Sequence, residues 1–208
     1  MNANILWVAI VAYLFGAIPF GVLVARTYRV DIQKVGSGNI GTANVLRSVG
    51  WGAAAVTALA DIFKGGVPML IAQALGMPGW EMAVVGCFSI IGHNYSIFLG
   101  FKGGKGVATS YGTVTLIDIG LGLTMLPVFI FTVAITRYSS AGSMIAGFSG
   151  IIFAIAMQRE WWKVVMLILI CLLILWQHRD NLKRLAAGTE RQFNQKSTSL
   201  SDMTETKP

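Results

Sequence analysis

The stretch Gly106–Thr136, GVATSYGTVTLIDIGLGLTMLPVFIFTVAIT, decides how this chain is threaded. It is uncharged throughout except for one carboxylate, Asp118. As a single helix its roughly 30 residues would reach about 45 Å, against a bilayer core of about 30 Å. A turn near Asp118–Gly120 would divide it into a short span and a full one. The uncharged runs at 5–25, 82–101, 138–158 and 161–177 each suit one crossing, as does 52–75, which Asp61 and Lys64 interrupt. The expected architecture is an all-α integral membrane protein, a bundle of seven transmembrane helices.

Charge chooses between the divided and undivided threading. With seven spans, thirteen of the 16 Lys and Arg residues fall on one side, only Arg159 and Lys163 on the other, and Lys64 stays within a span. Leaving Gly106–Thr136 undivided makes the two sides nearly equal. The positive-inside bias therefore places the N-terminus outside and the C-terminus in the cytoplasm. The first apolar run is too long for a signal peptide and lacks a positive charge before it.

Composition agrees, with 55% hydrophobic residues, 12% charged and a mean hydropathy of +0.67. That excludes an ordinary soluble domain. The net charge of +7 is explained by topology beside anionic lipid, so no nucleic-acid partner is called for. Cys87 and Cys171 lie in apolar spans without metal or redox spacing and read as packing residues. One domain over 1–191 is expected, followed by a polar, disordered cytoplasmic tail over 192–208.

Three polar segments interrupt the apolar chain, and the seven-span threading puts all of them on the cytoplasmic face. In the first, Gly36, Gly38 and Gly41 permit a nest of backbone N–H groups around an anion. Ser37 adds a hydroxyl, Asn39 and Asn44 add amides, and Arg47 adds a planar cationic fork. In the second, Lys102 and Lys105 stand among Gly103, Gly104 and Gly106 at the start of a helix, whose dipole attracts anions. The third is His178–Asn181, where His178 and Asn181 share a helix face and the imidazole can take a proton near neutral pH. His93 and Asn94 end a span on the same side. Asp61 and Lys64, three apart, form a neutralised pair, or else Lys64 lends charge to a ligand cavity.

Gly36-Ser-Gly-Asn39 through Asn44 and Arg47 is the first of three segments that together resemble a known family. The second is Gly92-His-Asn94 with Phe101-Lys-Gly-Gly-Lys-Gly-Val-Ala108. The third is His178-Arg-Asp-Asn181 with Gly188-Thr-Glu190. They resemble the signature segments of the bacterial acyl-phosphate:glycerol-3-phosphate acyltransferases, the PlsY family. That resemblance implies a multi-pass inner-membrane enzyme with its active site facing the cytoplasm. It implies transfer of a fatty acyl group from acyl phosphate to glycerol 3-phosphate, giving 1-acylglycerol 3-phosphate and inorganic phosphate. Membrane lipid is the surrounding partner, and no metal, cofactor or covalent acyl-enzyme is expected, since the donor is already activated. Ser37 and Arg47 would hold the acyl phosphate head, and Lys105 the phosphate of glycerol 3-phosphate. His178 and Asn181 would orient the attacking hydroxyl, with either His178 or the departing phosphate as base. Gly36, Gly38, Asn39, Asn44, Lys64, His93, Asn94, Gly103, Gly104 and Gly106 are candidate binding residues, with Asp61 and Glu190 as structural support. A transporter of organic phosphates and a non-catalytic scaffold are the other readings of the same residues.

Overall fold

The computed structural model describes residues 3–195, and every regular element in that range is helical. In chain order they are α1 Ala3–Gly16, α2 Phe20–Thr27, α3 Thr42–Ser48, α4 Trp51–Ala74, α5 Gly79–Asn94, α6 Val107–Ile117, α7 Ile119–Thr136, α8 Ser139–Ala156, α9 Trp161–Gln177 and α10 Arg179–Ala186. A 3₁₀ turn, Ile97–Leu99, follows α5. Five stretches are long and apolar enough to cross a membrane, or six if α9 and α10, bent by 60°, count as one.

The break expected near Asp118 is present and falls on that residue. Its extended backbone ends α6, and its carboxylate accepts the N–H of Leu121 at 3.2 Å, capping α7. The resulting α6 has 11 residues and a length of about 16 Å, half a bilayer core.

Apolar side chains point outward here. Trp7, Leu59, Phe131 and Ile155 are all exposed, as a lipid-facing surface requires. With no water to expel between helices, association relies on close backbone approach and shared hydrogen bonds. A Cβ on Gly16 would lie 2.1 Å from the Ser89 carbonyl oxygen, and one on Gly92 would lie 2.2 Å from that of Tyr13, so α1 and α5 touch backbone to backbone. Gly65 and Gly112 join α4 to α6 in the same way. Gly142 and Gly150 of α8 pack against α7 of the same chain.

Prolines leave carbonyls without helical partners, and neighbouring helices supply them. Pro68 frees the Lys64 carbonyl, which accepts the Ser89 hydroxyl at 2.9 Å. Pro19 separates α1 from α2; the Ala17 carbonyl then accepts Ser96 Oγ at 2.6 Å, and that of Ile18 accepts Lys64 Nζ at 2.8 Å. Lys64 also pairs with Asp61 at 2.8 Å, both fully buried. Of the two readings of this couple, the geometry supports the structural one: Lys64 staples the broken first span to α4.

Candidate active site

The chain from Tyr28 to Gly41 folds around one side chain. Asn44 accepts the Ser37 N–H at 3.0 Å and donates to the carbonyls of Ile32, Val35 and Asn39 at 3.2, 3.1 and 2.9 Å. Its amide is thereby spent on the loop, which corrects the expectation that it would donate to a ligand. The glycine nest needs the same correction. Gly36 and Gly38 do adopt positive φ, but the N–H of Gly38 bonds the Val35 carbonyl, that of Asn39 meets Ser37 Oγ, and that of Gly41 meets Asn39 Oδ1. These glycines shape a turn that presents Ser37, while α3 carries Arg47.

The second loop is set by close packing. The N–H groups of Gly103 and Gly104 donate to the carbonyls of Asn94 and His93 at 3.1 and 3.0 Å. A Cβ on Gly104 would lie 2.1 Å from His93 Nε2. Gly103 and Gly104 therefore seat the loop on the end of α5 and do not line the cavity; Gly106, with φ +75°, turns it into α6. Lys105 is left aimed inward. Burial, opposed by Glu190 and reinforced by Arg184 and Arg47, pulls its ammonium down to about 8. His93 lies 3.7 Å from Asp61, and Asn94 is buried against Gly106.

At the 60° bend between α9 and α10, His178 Nδ1 stands 2.8 Å from the Ile174 carbonyl. A carbonyl only accepts, so Nδ1 carries the proton and the neutral ring keeps Nε2 as an acceptor. Asn181 accepts a hydrogen bond from Lys105 Nζ and donates to Glu190 Oε1 at 2.5 Å. Glu190 also accepts Ser140 Oγ and Arg184 Nε, each at 2.8 Å. Burial would raise the Glu190 carboxyl, but these three donors hold it below the usual range. Arg184 is the cation that pairs with Glu190.

These three segments converge on one cavity of about 370 Å³. Ser37, Arg47, Lys105, His178 and Asn181 line its polar end. Asn39, Asn44, Asp61, His93, Gly106 and Glu190 also border it, whereas Gly36, Gly38, Lys64 and Asn94 do not. Its apolar end is formed by Met125 and Phe129 of α7, Ala146 and Gly147 of α8, and Ile170 and Ile174 of α9. Arg47 has a buried Nε without a partner among the described residues. Burial first, then Arg191, pull its guanidinium below the ordinary arginine range, with Glu190 opposing.

Sequence reasoning missed Arg184, Arg191 and the serines Ser139, Ser140 and Ser143, all of which line the cavity. Positive-inside charge disguised the arginines. The serines sit together at the start of an apolar helix, a cluster that could have been noticed.

The family profile described as glycerol-3-phosphate acyltransferase matches residues 6–188. A glycerol-3-phosphate acyltransferase of Thermus thermophilus is 52% identical over 190 residues, covering 91% of this chain and 96% of its own. Glycerol-3-phosphate acyltransferase 1 of Deinococcus radiodurans is 43% identical, covering 94% and 99%. The crystal structure of PlsY (YgiH), an integral membrane glycerol 3-phosphate acyltransferase, in its glycerol 3-phosphate form, superposes with a TM-score of 0.87 at 37% identity, covering 91% of this chain and 96% of that one. Its lysophosphatidic acid form gives 0.86 at 36%. An apolar multi-pass bundle, one cavity joining a cationic end to a greasy end, and these likenesses across nine-tenths of the sequence decide among the three readings: the chain belongs to the PlsY family of integral membrane glycerol-3-phosphate acyltransferases.

Proposed function

We propose that this chain forms 1-acyl-sn-glycerol 3-phosphate by moving a fatty acyl group from acyl phosphate to the 1-hydroxyl of glycerol 3-phosphate. The observation that carries the reading is the two-ended cavity, whose cations suit phosphoryl oxygens and whose α7–α9 walls suit an acyl chain. The related PlsY crystallised in glycerol 3-phosphate and lysophosphatidic acid forms supports the acceptor and the product.

Ser37 and Arg47 hold the phosphoryl head of the donor and the oxyanion that develops on its carbonyl. Lys105, fixed by Asn181, holds the phosphate of the acceptor. A new ester C–O bond forms as the C–O bond from acyl carbon to phosphate breaks, releasing inorganic phosphate. Because the donor is already activated, positioning and charge stabilisation supply the acceleration and no acyl-enzyme is needed. The hydroxyl proton goes to His178 Nε2 or to the departing phosphate. A general base contributes about 10²–10⁴-fold, so His178→Ala lowers kcat by at least about 10²-fold in the first case and by less than about tenfold in the second.

The proposed setting is a bacterial inner membrane crossed seven times, with α6 as the short span, the N-terminus outside and the C-terminus cytoplasmic. One acyltransferase domain covers 1–191 and a polar tail 192–208, of which 196–208 lie outside the described residues. Arg159 and Lys163, the two cations assigned to the outside, meet at Asp118, away from the cavity that gathers Arg47, Lys105, Arg184 and Arg191. Purified protein in detergent, given acyl phosphate and labelled glycerol 3-phosphate, should release lysophosphatidate and inorganic phosphate in equal amounts. Product from an acyl thioester but none from acyl phosphate would overturn the donor. Thiol labelling of Lys34→Cys and Lys183→Cys from opposite sides of the membrane would overturn the topology.

A further inference from the structure

The segment after α10 crosses the cavity mouth and is pinned at both ends. Gly188, at φ +67°, reverses the chain so that the Thr189 N–H reaches back to the Arg184 carbonyl at 2.8 Å. Glu190 then ties down to α8 and α10 through Ser140, Asn181 and Arg184. Three residues on, the Phe193 N–H donates to the Arg137 carbonyl at 2.7 Å, taking one of the carbonyls that the end of α7 leaves free. The Phe193 ring meets Trp51 edge-on at 5.9 Å and 74°, and it packs against the cluster containing Ile32, Val45 and Leu46. Between the pins lies Arg191, which lines the cavity beside Arg47 and, among the described residues, has no side-chain partner. The family match ends at residue 188, so neither Arg191 nor Phe193 is accounted for by it.

We propose that Gly188–Phe193 is a substrate-gripping strap, in which Phe193 is the positioning residue that latches Arg191 over the cavity mouth to bind a phosphoryl group. A fully solvated arginine on a free chain end would be worth little to an anion, because ordering it costs conformational entropy. The Phe193 latch removes that cost before the ligand arrives. The ligand is a phosphate monoester or acyl phosphate dianion. The inference rests on the phosphorylated substrates proposed above.

Steady-state kinetics with each substrate varied in turn test it, and the arm whose KM moves identifies which phosphoryl group Arg191 meets. Arg191→Gln should raise that KM about tenfold, the scale of one partly exposed charge-assisted hydrogen bond. Phe193→Ala should raise the same KM by several-fold and act on kcat much less, and Phe193→Tyr should restore it. The double variant should be no worse than Arg191→Gln alone, since the two residues form one device. Should Phe193→Ala fail to fold, Trp51→Leu removes the exposed ring partner and gives a weaker form of the same shift. Phe193→Ala without effect on either KM, or an effect that multiplies fully with Arg191→Gln, overturns the strap. If the wild-type protein does not turn over acyl phosphate, the donor assignment has failed; the strap is then decided by titration with inorganic phosphate, whose Kd must rise in both single variants for it to stand.

Discussion

Two of the places where the bundle gathers charge are built to opposite rules. Near the break between α6 and α7, Asp118 meets Arg159 at 3.0 Å and Lys163 at 2.9 Å, and Lys163 also pairs with Glu160 at 2.9 Å. Two carboxylates face two cations, and the charges balance. In the cavity, Arg47, Lys105, Arg184 and Arg191 stand around Glu190, which only Arg184 engages as an ion pair, while the other bordering carboxylate, Asp61, is already paired with Lys64. The surplus positive charge and the unpartnered Arg47 Nε have no counterpart within the described chain. A balanced network stabilises a fold; an unbalanced one of the same residue types waits for an anion.

The comparison breaks first at its unbalanced end. Arg47→Ala and Ser37→Ala should each lower turnover by about 10²–10³-fold or more in a folded protein, the scale of a lost charge-stabilising donor, and His178→Ala should match them if Nε2 takes the hydroxyl proton. Near-wild-type rates in all three, measured with acyl phosphate and glycerol 3-phosphate, would sink the site. Gly104→Ala comes next. Its Cβ would meet His93 Nε2 at 2.1 Å, so the loop must shift and carry Lys105 with it. Displacement on the order of 1 Å costs about 10²-fold, read as kcat/KM with the melting temperature monitored in parallel.

A smaller effect separates the ends by pH. Lys105, with its ammonium pulled down to about 8, is charged below that value and neutral above it. The KM for glycerol 3-phosphate should therefore hold steady between about 7, where the substrate phosphate is already a dianion, and 8, then rise as pH climbs further, approaching tenfold per unit; Lys105→Arg should flatten the rise. The smallest effect belongs to the balanced end. Asp118→Asn should lower Tm by about 2–4 °C, consistent with a loss near 1 kcal/mol in a chain of this size, and leave kcat/KM within about twofold. A large loss of activity there would erase the distinction between the two ends.

Much of this was legible in the chain itself. Asp118 was the one charged residue in a stretch too long for a single crossing, and the helix break falls on it. Ser37, Arg47, Lys105, His178 and Asn181 stood out as polar residues in an apolar chain, and they meet in one cavity. What misled was reading every polar or glycine residue in a signature as facing the ligand. Asn44 faces its own loop, Gly103 and Gly104 face α5, and Lys64 faces the Ile18 carbonyl at the break between α1 and α2. Residue type names the hydrogen bonds a group can make, while only its neighbours in space determine which are already made.

By itself the sequence determined the apolar helices, the break at Asp118, the family and the list of polar groups near one end of the bundle, because bilayer thickness and helix rise leave little freedom in threading such a chain. Tertiary structure alone decided which of those groups are spent on the fold and which remain open. It also decided that α7, α8 and α9 make the apolar end of the cavity and that Phe193 carries Arg191 to its mouth. Those facts depend on contacts between residues tens to more than a hundred positions apart, which no local pattern of hydrophobicity or charge encodes.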